Sequence, residues 1–380
     1  MKIVDIRTYA LSAKIDAAFY YAEGWVTRRN SLLVEVITDE GVVGFGEAMC
    51  HGPQPPEMSQ AAIETVLKPV VIGRDPLDVE VLWDRMYAET QPYGRQGIAI
   101  NAISGIDTAL WDCAGKILNI PVYKLLGGAF RTRLVPYATG FFRKEGGKYP
   151  EEAVEEALAH KANGFTAMKV KIGYGPRDDA RAIRAIRDAV GPDVDIMVDA
   201  NCAYTSAMAR RIMPILQECD VAWFEEPLPS DDIKGYLALK EAGTVPLAMG
   251  ETEFSPNGFR PWIESRAADV LQPDICFSGG FTGCRRILAM ARAANLMVVP
   301  HIWGSGIGLA AAMHFAAALP PQPITHMPIE PMLEYDRSEH PFRQELIYGA
   351  LGMEKDGTVL VPDGPGLGID VNRDLLAKYS

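Results

Sequence analysis

The segment Ala167-Met168-Lys169-Val170-Lys171-Ile172-Gly173 alternates apolar residues with lysines. Side chains in a β-strand repeat every two residues, so this pattern predicts that Lys169 and Lys171 point to the same face. Two ammonium groups in one small space repel each other unless an anion lies between them. Crowding and burial are expected to lower a lysine pKa until the neutral amine can act as a base. The alternative is a solvated strand face with both lysines exposed.

Short apolar runs recur downstream of this segment, and each run ends in a polar residue. The polar residues are 23 to 28 positions apart, which is the length of one strand, one helix and two short loops. Such a repeat predicts a parallel β-sheet with helices between its strands. The residues at the strand ends are Lys171, Asp199, Glu225, Glu251, Asp274 and His301.

The number of repeats favours an α/β fold of the TIM type, in which eight βα units close into a barrel. Strands at 137–140 and 323–330 complete the eight units. The carboxyl ends of all barrel strands meet at one face, so polar residues far apart in the sequence converge there. A doubly wound open sheet gives a similar repeat, but it does not bring six strand ends to one point.

Residues 1–125 have a different pattern, which predicts an α+β capping domain. Strand-like alternation covers 4–9, 31–38 and 42–47. Two stretches without such alternation, 16–29 and 50–57, are expected to be loops that cover a site and set its specificity. Their side chains could equally be packing residues. The candidate substrate contacts in these loops are Phe19, Tyr20, Trp25, Arg28 and His51.

Composition limits the partners and the compartment. The 380 residues carry a net charge of −12 at pH 7, which argues against nucleic acid and anionic membrane surfaces as main partners. The first residues lack the apolar core of a signal peptide, and no apolar run reaches membrane-spanning length. Six cysteines without a CxxC pair indicate structural thiols in a reducing compartment. We therefore expect a cytoplasmic protein.

Three of the strand ends carry carboxylates, at Asp199, Glu225 and Glu251. Their mutual repulsion requires protons or a cation, and an all-oxygen ligand set suits a hard divalent ion such as Mg²⁺. Asn201 and Glu226 follow two of these residues closely, and we expect both to orient the ligands from a second layer.

Possible bases lie on both sides of this predicted metal site. Lys169 and Lys171 precede it along the sheet, and Asp274 and His301 follow it. A buried aspartate that accepts from one imidazole nitrogen fixes the tautomer and raises the basicity of the ring. A metal between two bases is suited to removing the proton α to a carboxylate. Each residue alone has an ordinary structural interpretation, such as a loop cap, but the regular placement at strand ends favours function.

Six motifs together resemble the mandelate racemase subgroup of the enolase superfamily, and the resemblance covers nearly the whole chain. It implies a capping domain over 1–125, a modified barrel over 126–355 and a segment over 356–380 that returns to the capping domain. The motifs are Lys169-Val170-Lys171, Asp199-Ala200-Asn201, Glu225-Glu226-Pro227, Gly250-Glu251-Thr252, Gln272-Pro273-Asp274 and Pro300-His301.

The resemblance also implies a role for each residue. Lys171 would be a base, and Lys169 would lie beside the substrate carboxylate. The three carboxylates would bind Mg²⁺, and the Asp274–His301 pair would be the acid or base on the opposite face. Glu334 would bind the substrate carboxylate, with Glu330 as its rival.

Further motifs, such as His301-Ile302-Trp303-Gly304 and Glu334-Tyr335-Asp336-Arg337, resemble acid-sugar enzymes of this subgroup. They imply a Mg²⁺-dependent dehydratase that acts on an aldonate or an aldarate. Ring opening of a lactone, as in galactarolactone cycloisomerases, and racemisation or epimerisation of a 2-hydroxy acid remain alternatives. A non-catalytic binding protein on the same scaffold is a further one. Relatives of this type are commonly homo-oligomers, so a homo-oligomer is expected.

Overall fold

The computed structural model describes residues 1–323, 325, 328–349 and 351–379. The chain begins with an antiparallel sheet of three strands, β1 (Ile3–Tyr21), β2 (Gly24–Thr38) and β3 (Val43–Met49). Helices follow and pack on this sheet through a shared apolar core. They are α1 (Pro56–Ala62), a π-helical turn (Ile63–Leu67), α2 (Lys68–Val71), α3 (Val79–Thr90), α4 (Ile98–Leu118) and α5 (Val122–Leu125).

Glycines allow α4 to approach β3 closely. A Cβ atom at Gly44 would overlap the carbonyl oxygen of Ala109, and one at Gly46 would overlap that of Gly105. The backbones of strand and helix therefore pack directly on each other, which any larger side chain at these positions would prevent.

The predicted loop over 16–29 is wrong, because β1 and β2 continue as one long hairpin. Their pairing resumes after a register shift and runs from Phe19 opposite Val26 to Tyr21 opposite Gly24. Ile15, Phe19, Tyr21 and Val26 form a buried cluster on one face of this hairpin. The irregular pairing between Lys14 and Phe19 bends the hairpin, as a bulge does.

The strand β4 (Arg133–Leu134) leads into a parallel sheet whose eight strands lie in the described part of the chain. These strands are β5 (Pro136–Thr139), β6 (Ala167–Lys171), β7 (Asp195–Asp199), β8 (Val221–Glu225), β9 (Leu247–Met249), β10 (Val270–Leu271), β11 (Met297–Val298) and β12 (Leu333–Asp336). The helices that connect them are α6 (Glu151–Ala162), α7 (Pro176–Val190), α8 (Ser206–Glu218), α9 (Ile233–Ala242), α10 (Ser255–Ser265), α11 (Gly280–Ala293) and α12 (Gly306–Ala318).

The order of the strands is β11-β10-β9-β8-β7-β6-β5-β12, so neighbours in sequence are neighbours in space and the last strand returns to the first. This curled sheet confirms the predicted α/β barrel class. Its interior contains an apolar cluster of side chains from the strands or from residues directly next to them, as in a closed barrel core. These side chains are Tyr137, Ala167, Met197, Trp223, Ala248, Val270 and Val299, with Met332 packed against them.

The prediction that the eighth strand lies over 323–330 is wrong. That strand is β12, which pairs with β5 from Leu333 opposite Pro136 to Asp336 opposite Thr139. The reason is chemical: prolines occupy positions 323, 328 and 331, and proline cannot donate a ladder hydrogen bond. Of the predicted range, residues 324, 326 and 327 lie outside the described residues. The shift places Glu334 within a barrel strand.

The chain after β12 contains short elements that pack on earlier parts of the molecule. The strand β14 (Val359–Leu360) pairs with β4, and β13 (Ile347–Tyr348) pairs with β15 (Asp370–Val371). Further along, the Leu367 amide donates to Asp112 Oδ1 at 2.8 Å, and the Val122 amide donates to the Gly366 carbonyl at 2.9 Å. These elements are α13 (Pro341–Gln344), β13 (Ile347–Tyr348), β14 (Val359–Leu360), β15 (Asp370–Val371) and α14 (Arg373–Tyr379).

Glu47 on β3 links the amino-terminal sheet to the barrel. Its buried carboxylate accepts hydrogen bonds from the Ser305 amide and hydroxyl at 3.0 and 2.6 Å and from the Gly308 amide at 3.0 Å. A carboxylate at the first turn of α12 satisfies free amide groups and stabilises the helix dipole. This contact fixes the loop that precedes α12. None of the described helices is long and apolar enough to span a bilayer.

Candidate active site

The two lysines of β6 lie on the interior face of the barrel, where alternation places them. Both side chains are buried, which excludes the solvated alternative. Lys171 Nζ donates to Asp199 Oδ2 at 2.5 Å and to Asn201 Oδ1 at 2.9 Å. Lys169 Nζ contacts Glu225 and lies 2.7 Å from Glu334 Oε1. The strand therefore presents two cations to carboxylates from three other strands.

The expected lowering of the lysine pKa is not what these surroundings produce. Burial lowers the pKa of Lys169, but the charges of Glu225 and Glu334 have the larger, opposite effect. The net pKa therefore lies well above the usual value. The pKa of Lys171 is also raised, because the charges of Asp199 and Glu251 outweigh burial. The prediction considered only the repulsion between the lysines and left out the carboxylates that face them.

Asp199, Glu225 and Glu251 form a buried cluster in which one oxygen of each carboxylate lies within 4.8 Å of the others. Among the described residues, Glu251 Oε2 has no hydrogen-bond partner although it is buried. A hard divalent cation bound by the three carboxylates would interact with this buried oxygen, which has no hydrogen bond of its own. The residues present therefore fit the Mg²⁺ that the sequence predicts.

A second layer of side chains orients these carboxylates. Asn201 donates from Nδ2 to Glu251 Oε1 at 2.9 Å while its own oxygen accepts from Lys171, so it joins two parts of the site. Gln272 donates to Glu225 Oε2 at 2.6 Å, and Trp223 donates to the same oxygen at 3.0 Å. Our sequence analysis gave neither Gln272 nor Trp223 this role.

Glu226 lies beside the cluster but points to a different set of partners. Its carboxylate accepts from Thr252 Oγ1 at 3.1 Å and contacts Cys202 Sγ at 3.3 Å. Burial and the charges of Glu251 and Asp199 raise its pKa well above the usual value, which favours the neutral acid. Glu226 therefore supports the loops around the carboxylate cluster.

Asp274 and His301 come together as expected. His301 Nδ1 lies 2.8 Å from Asp274 Oδ2, and His301 Nε2 lies 3.4 Å from Glu251 Oε2. Burial lowers the pKa of His301, but the charge of Glu251 and the hydrogen bond with Asp274 raise it to about 10. The imidazole is thus held by one nitrogen and presents the other to the carboxylate cluster.

The structure brings Glu334 into the site and leaves Glu330 outside it. Glu334 is buried and accepts from Thr139 Oγ1 at 2.9 Å and from the Ile302 amide at 3.0 Å, besides its contact with Lys169. The Glu330 side chain is half exposed and pairs with Arg131. Because Ile302 follows His301 directly, Glu334 also fixes the position of the loop that carries the histidine.

Most of the substrate contacts that the sequence suggested in the capping domain do not face the carboxylate cluster. Tyr20 and Trp25 pack against each other with ring centroids 4.7 Å apart and ring planes tilted by 45°, and Trp25 is 48% exposed, so neither faces the cluster. Arg28 donates to Ser12 on the exposed side of the hairpin, and Phe19 packs behind Phe142. His51 alone of the suggested contacts belongs to the site.

Tyr21 and Glu23 are the cap residues that sequence analysis missed. The Tyr21 ring centroid lies 5.5 Å from Lys171 Nζ, and Glu23 Oε2 lies 2.9 Å from His51 Nε2. The signal for Tyr21 was present in the sequence: in an extended strand it faces opposite to Tyr20, and only one of the two can face the barrel. No comparable pattern marks Glu23, which lies in the hairpin turn.

The fold and this site define an α/β-barrel enzyme with a carboxylate cluster at its strand ends and a possible base on each side. Residues 152–375 match the family of enolase C-terminal domain-like proteins, and residues 4–127 match the N-terminal domain of mandelate racemase and muconate lactonizing enzyme. The chain therefore belongs to the enolase superfamily, in its mandelate racemase subgroup, as the sequence motifs predict.

Characterised relatives match over the full length of the chain. It is 38% identical over 379 residues to D-galactarolactone cycloisomerase of Agrobacterium fabrum, covering 100% of this chain and 99% of that protein. It is 34% identical over 391 residues to arabinonate dehydratase of Saccharolobus solfataricus, covering 99% of both. The crystal structure of 3,6-anhydro-D-galactonate cycloisomerase from Zobellia galactanivorans superposes with a TM-score of 0.89 at 37% identity, covering 100% and 99% of the two chains.

Proposed function

We propose that this protein is a Mg²⁺-dependent lyase that removes the α-proton of a hydroxylated carboxylate and eliminates the β-substituent. The observation that carries the proposal is that Lys171 and His301 flank one carboxylate cluster from different sides of the barrel. Lys171 lies against Asp199 and His301 against Glu251. A substrate carboxylate held at this cluster would have a proton-transfer group near each face of its α-carbon.

Asp199, Glu225 and Glu251 would hold the Mg²⁺. When bound, the ion would act as a Lewis acid on the substrate carboxylate, which acidifies the α-proton, and would offset the negative charges that raise the lysine pKa. Lys169 would donate to the substrate carboxylate, since its ammonium lies at the cluster and beside Glu334.

Either Lys171 or His301 would take the α-proton, and the other would protonate the β-oxygen as it leaves. Asp274 would hold His301 by Nδ1, so Nε2 is the atom that transfers the proton. Elimination from an open-chain acid releases water, whereas the same elimination from a lactone opens the ring. The names of the Agrobacterium and Saccharolobus relatives include both outcomes.

The same pair of bases would also support racemisation or epimerisation if no β-group leaves. The partner we propose is a small carboxylate, either an acid sugar or its lactone. A homo-oligomer, a capping domain over 1–125, a barrel over 126–355 and a returning segment over 356–380 remain predictions.

Proton NMR in D₂O tests the proposal with Mg²⁺ and a panel of aldonates, aldarates and aldarolactones. Elimination yields a new set of deoxy-keto signals, whereas loss of the α-proton signal alone indicates racemisation. Replacing Lys171 or His301 by alanine should lower turnover by at least about 10²–10⁴-fold, the usual contribution of a general base. Lys234→Ala, on the exposed side of α9, is the control and should keep full activity. Full activity in both base variants would refute the mechanism.

A further inference from the structure

The cap places a small polar cluster over the barrel mouth that the proposed chemistry does not use. The Tyr21 hydroxyl donates to Glu23 Oε2 at 2.9 Å, and the same oxygen lies 2.9 Å from His51 Nε2. His51 Nδ1 is buried, and no hydrogen-bond partner for it is found among the described residues. The cluster therefore keeps one unused imidazole nitrogen for a ligand.

This cluster faces the metal ligands and both bases. Tyr21 lies over Lys171, and His51 packs 6.1 Å from the ring of Phe277, in the loop that begins at Asp274. Burial lowers the pKa of His51, but the hydrogen bond with Glu23 and the charge of Glu251 raise it above the usual value. Burial raises the pKa of Glu23, but the hydrogen bonds from His51 and Tyr21 and the charges of His51 and Lys171 together lower it by more. Glu23 is therefore an anion at neutral pH.

An aromatic wall lies between this part of the site and the buried guanidinium of Arg29. Tyr21, Phe142 and Trp303 lie with ring centroids 5.6 to 6.2 Å apart, and Lys171 faces the first two rings. Arg29 stacks on Trp303 at 4.2 Å from the ring centroid and donates to Asp336. Its Nη2 is paired with Asp336, and for its buried Nη1 no hydrogen-bond partner is found among the described residues.

Resting on the proposed function, we infer that Glu23 and His51 bind the end of the substrate that is remote from the reacting carboxylate, and that this end is neutral and hydroxylated. A hydroxyl group can donate to Glu23 while a neighbouring hydroxyl bonds to His51 Nδ1. The charge of His51 is already paired with Glu23, so a second carboxylate there would find no unpaired cation in this cluster and would lie beside the Glu23 anion and the proposed metal ligands. The structure thus assigns the substrate to acids with a single carboxylate, namely aldonates or lactones and anhydro forms, and rejects open-chain aldarates.

Two pairs of acids test this selection, because galactonate and galactarate, like gluconate and glucarate, differ only in a terminal hydroxymethyl or carboxylate group. Dissociation constants are measured by calorimetry on Mg²⁺-loaded Lys171→Ala protein, and kcat/KM is measured on the wild type. In at least one of the two pairs, the acid with a single carboxylate should bind at least about tenfold more tightly than the corresponding diacid. Glu23→Gln should reduce this ratio severalfold, and Glu57→Gln, exposed on α1, should not change it.

A second variant separates recognition from folding. His51→Phe keeps an aromatic ring but removes both nitrogens, so it should weaken binding of the single-carboxylate acid while the thermal midpoint stays close to that of Glu57→Gln. Tighter binding of the diacids would overturn the inference and identify Arg29 as the group that binds the second carboxylate. Equal affinities, or no binding of any of the four acids, would overturn it too. Selective binding without α-proton exchange by the wild type would refute the proposed reaction instead.

Discussion

Asp107 on α4 offers a quantitative test of how the buried interior responds to pH. Its side chain is fully buried, and Oδ2 accepts from the Thr282 amide at 3.0 Å, but Oδ1 has no partner among the described residues. Burial raises the pKa of this carboxyl from 3.8 to about 7, against the opposing effect of Thr282. The folded protein therefore holds a proton on Asp107 that the unfolded chain releases near pH 4.

A pKa that is raised in the folded state stabilises the protein below the unfolded pKa, and this contribution is lost as pH rises toward the folded pKa. Between pH 5 and 7 the pKa of about 7 gives a loss of about 3 kcal/mol, since each pH unit corresponds to about 1.4 kcal/mol. Asp107→Asn removes the titration and can still accept from Thr282. For a chain of this length, about 3 kcal/mol corresponds to about 4 °C in thermal midpoint.

Thermal unfolding followed by circular dichroism at pH 5, 6, 7 and 8 measures this difference. Relative to the wild type, Asp107→Asn should gain about 4 °C between pH 5 and pH 8, as calculated from the raised pKa. Asp193→Asn, an exposed position between α7 and β7, should follow the wild type at every pH. Parallel curves for Asp107→Asn and the wild type would refute the argument that burial keeps Asp107 protonated.

Three further predictions concern the contact of Glu47 with α12, the binding of Mg²⁺ and the packing of Gly280. Glu47→Gln should lower the free energy of unfolding by about 1–3 kcal/mol, because the capping contacts at Ser305 lose their charge. It should also lower kcat more than it changes KM. An unchanged kcat would show that these contacts do not position His301. Mg²⁺ at about 100 times its Kd should stabilise the wild type by about 2.7 kcal/mol in thermal unfolding, and Asp199→Asn should abolish this effect. Gly280→Ala should lower the thermal midpoint more than Gly127→Ala, because a Cβ atom at Gly280 would overlap Asp107 and the space around Gly127 is open. Equal shifts in the two variants would show that this overlap does not destabilise the protein.

Local pattern was enough to predict the barrel and its charged strand ends. The alternation in β6 fixes the face of Lys169 and Lys171, and the repeat length fixes which residues end each strand. Because all strands of a barrel point the same way, these two facts bring Asp199, Glu225 and Glu251 together without any knowledge of side-chain contacts. The structure also places Glu334 rather than Glu330 beside Lys169, but the preference for Glu334 came from the family motif, since the strand that carries it was misplaced.

Several features depended on contacts between segments that are far apart in the sequence. The hairpin extends through Tyr21 because its apolar face packs on Phe142 and Trp303, and no residue near Tyr21 records the presence of those partners. The cap residue Glu23 faces the site only because the β1–β2 register places the turn over the barrel mouth. The position of β12 likewise depended on which residues after α12 could form backbone hydrogen bonds with β5.

The sequence by itself determined the fold class and which carboxylates, lysines and histidine meet at one face of the barrel, because strand periodicity and repeat length are local properties that act identically in every βα unit. Only the tertiary structure decided the charge states and which residues of the amino-terminal part lie over the barrel mouth. Carboxylates from other strands raise the pKa of Lys171 and of His301, and Glu23 and His51 approach the barrel mouth from the amino-terminal part of the chain. Electrostatic interactions act through space between residues that are distant along the chain, so they appear only once the chain has folded.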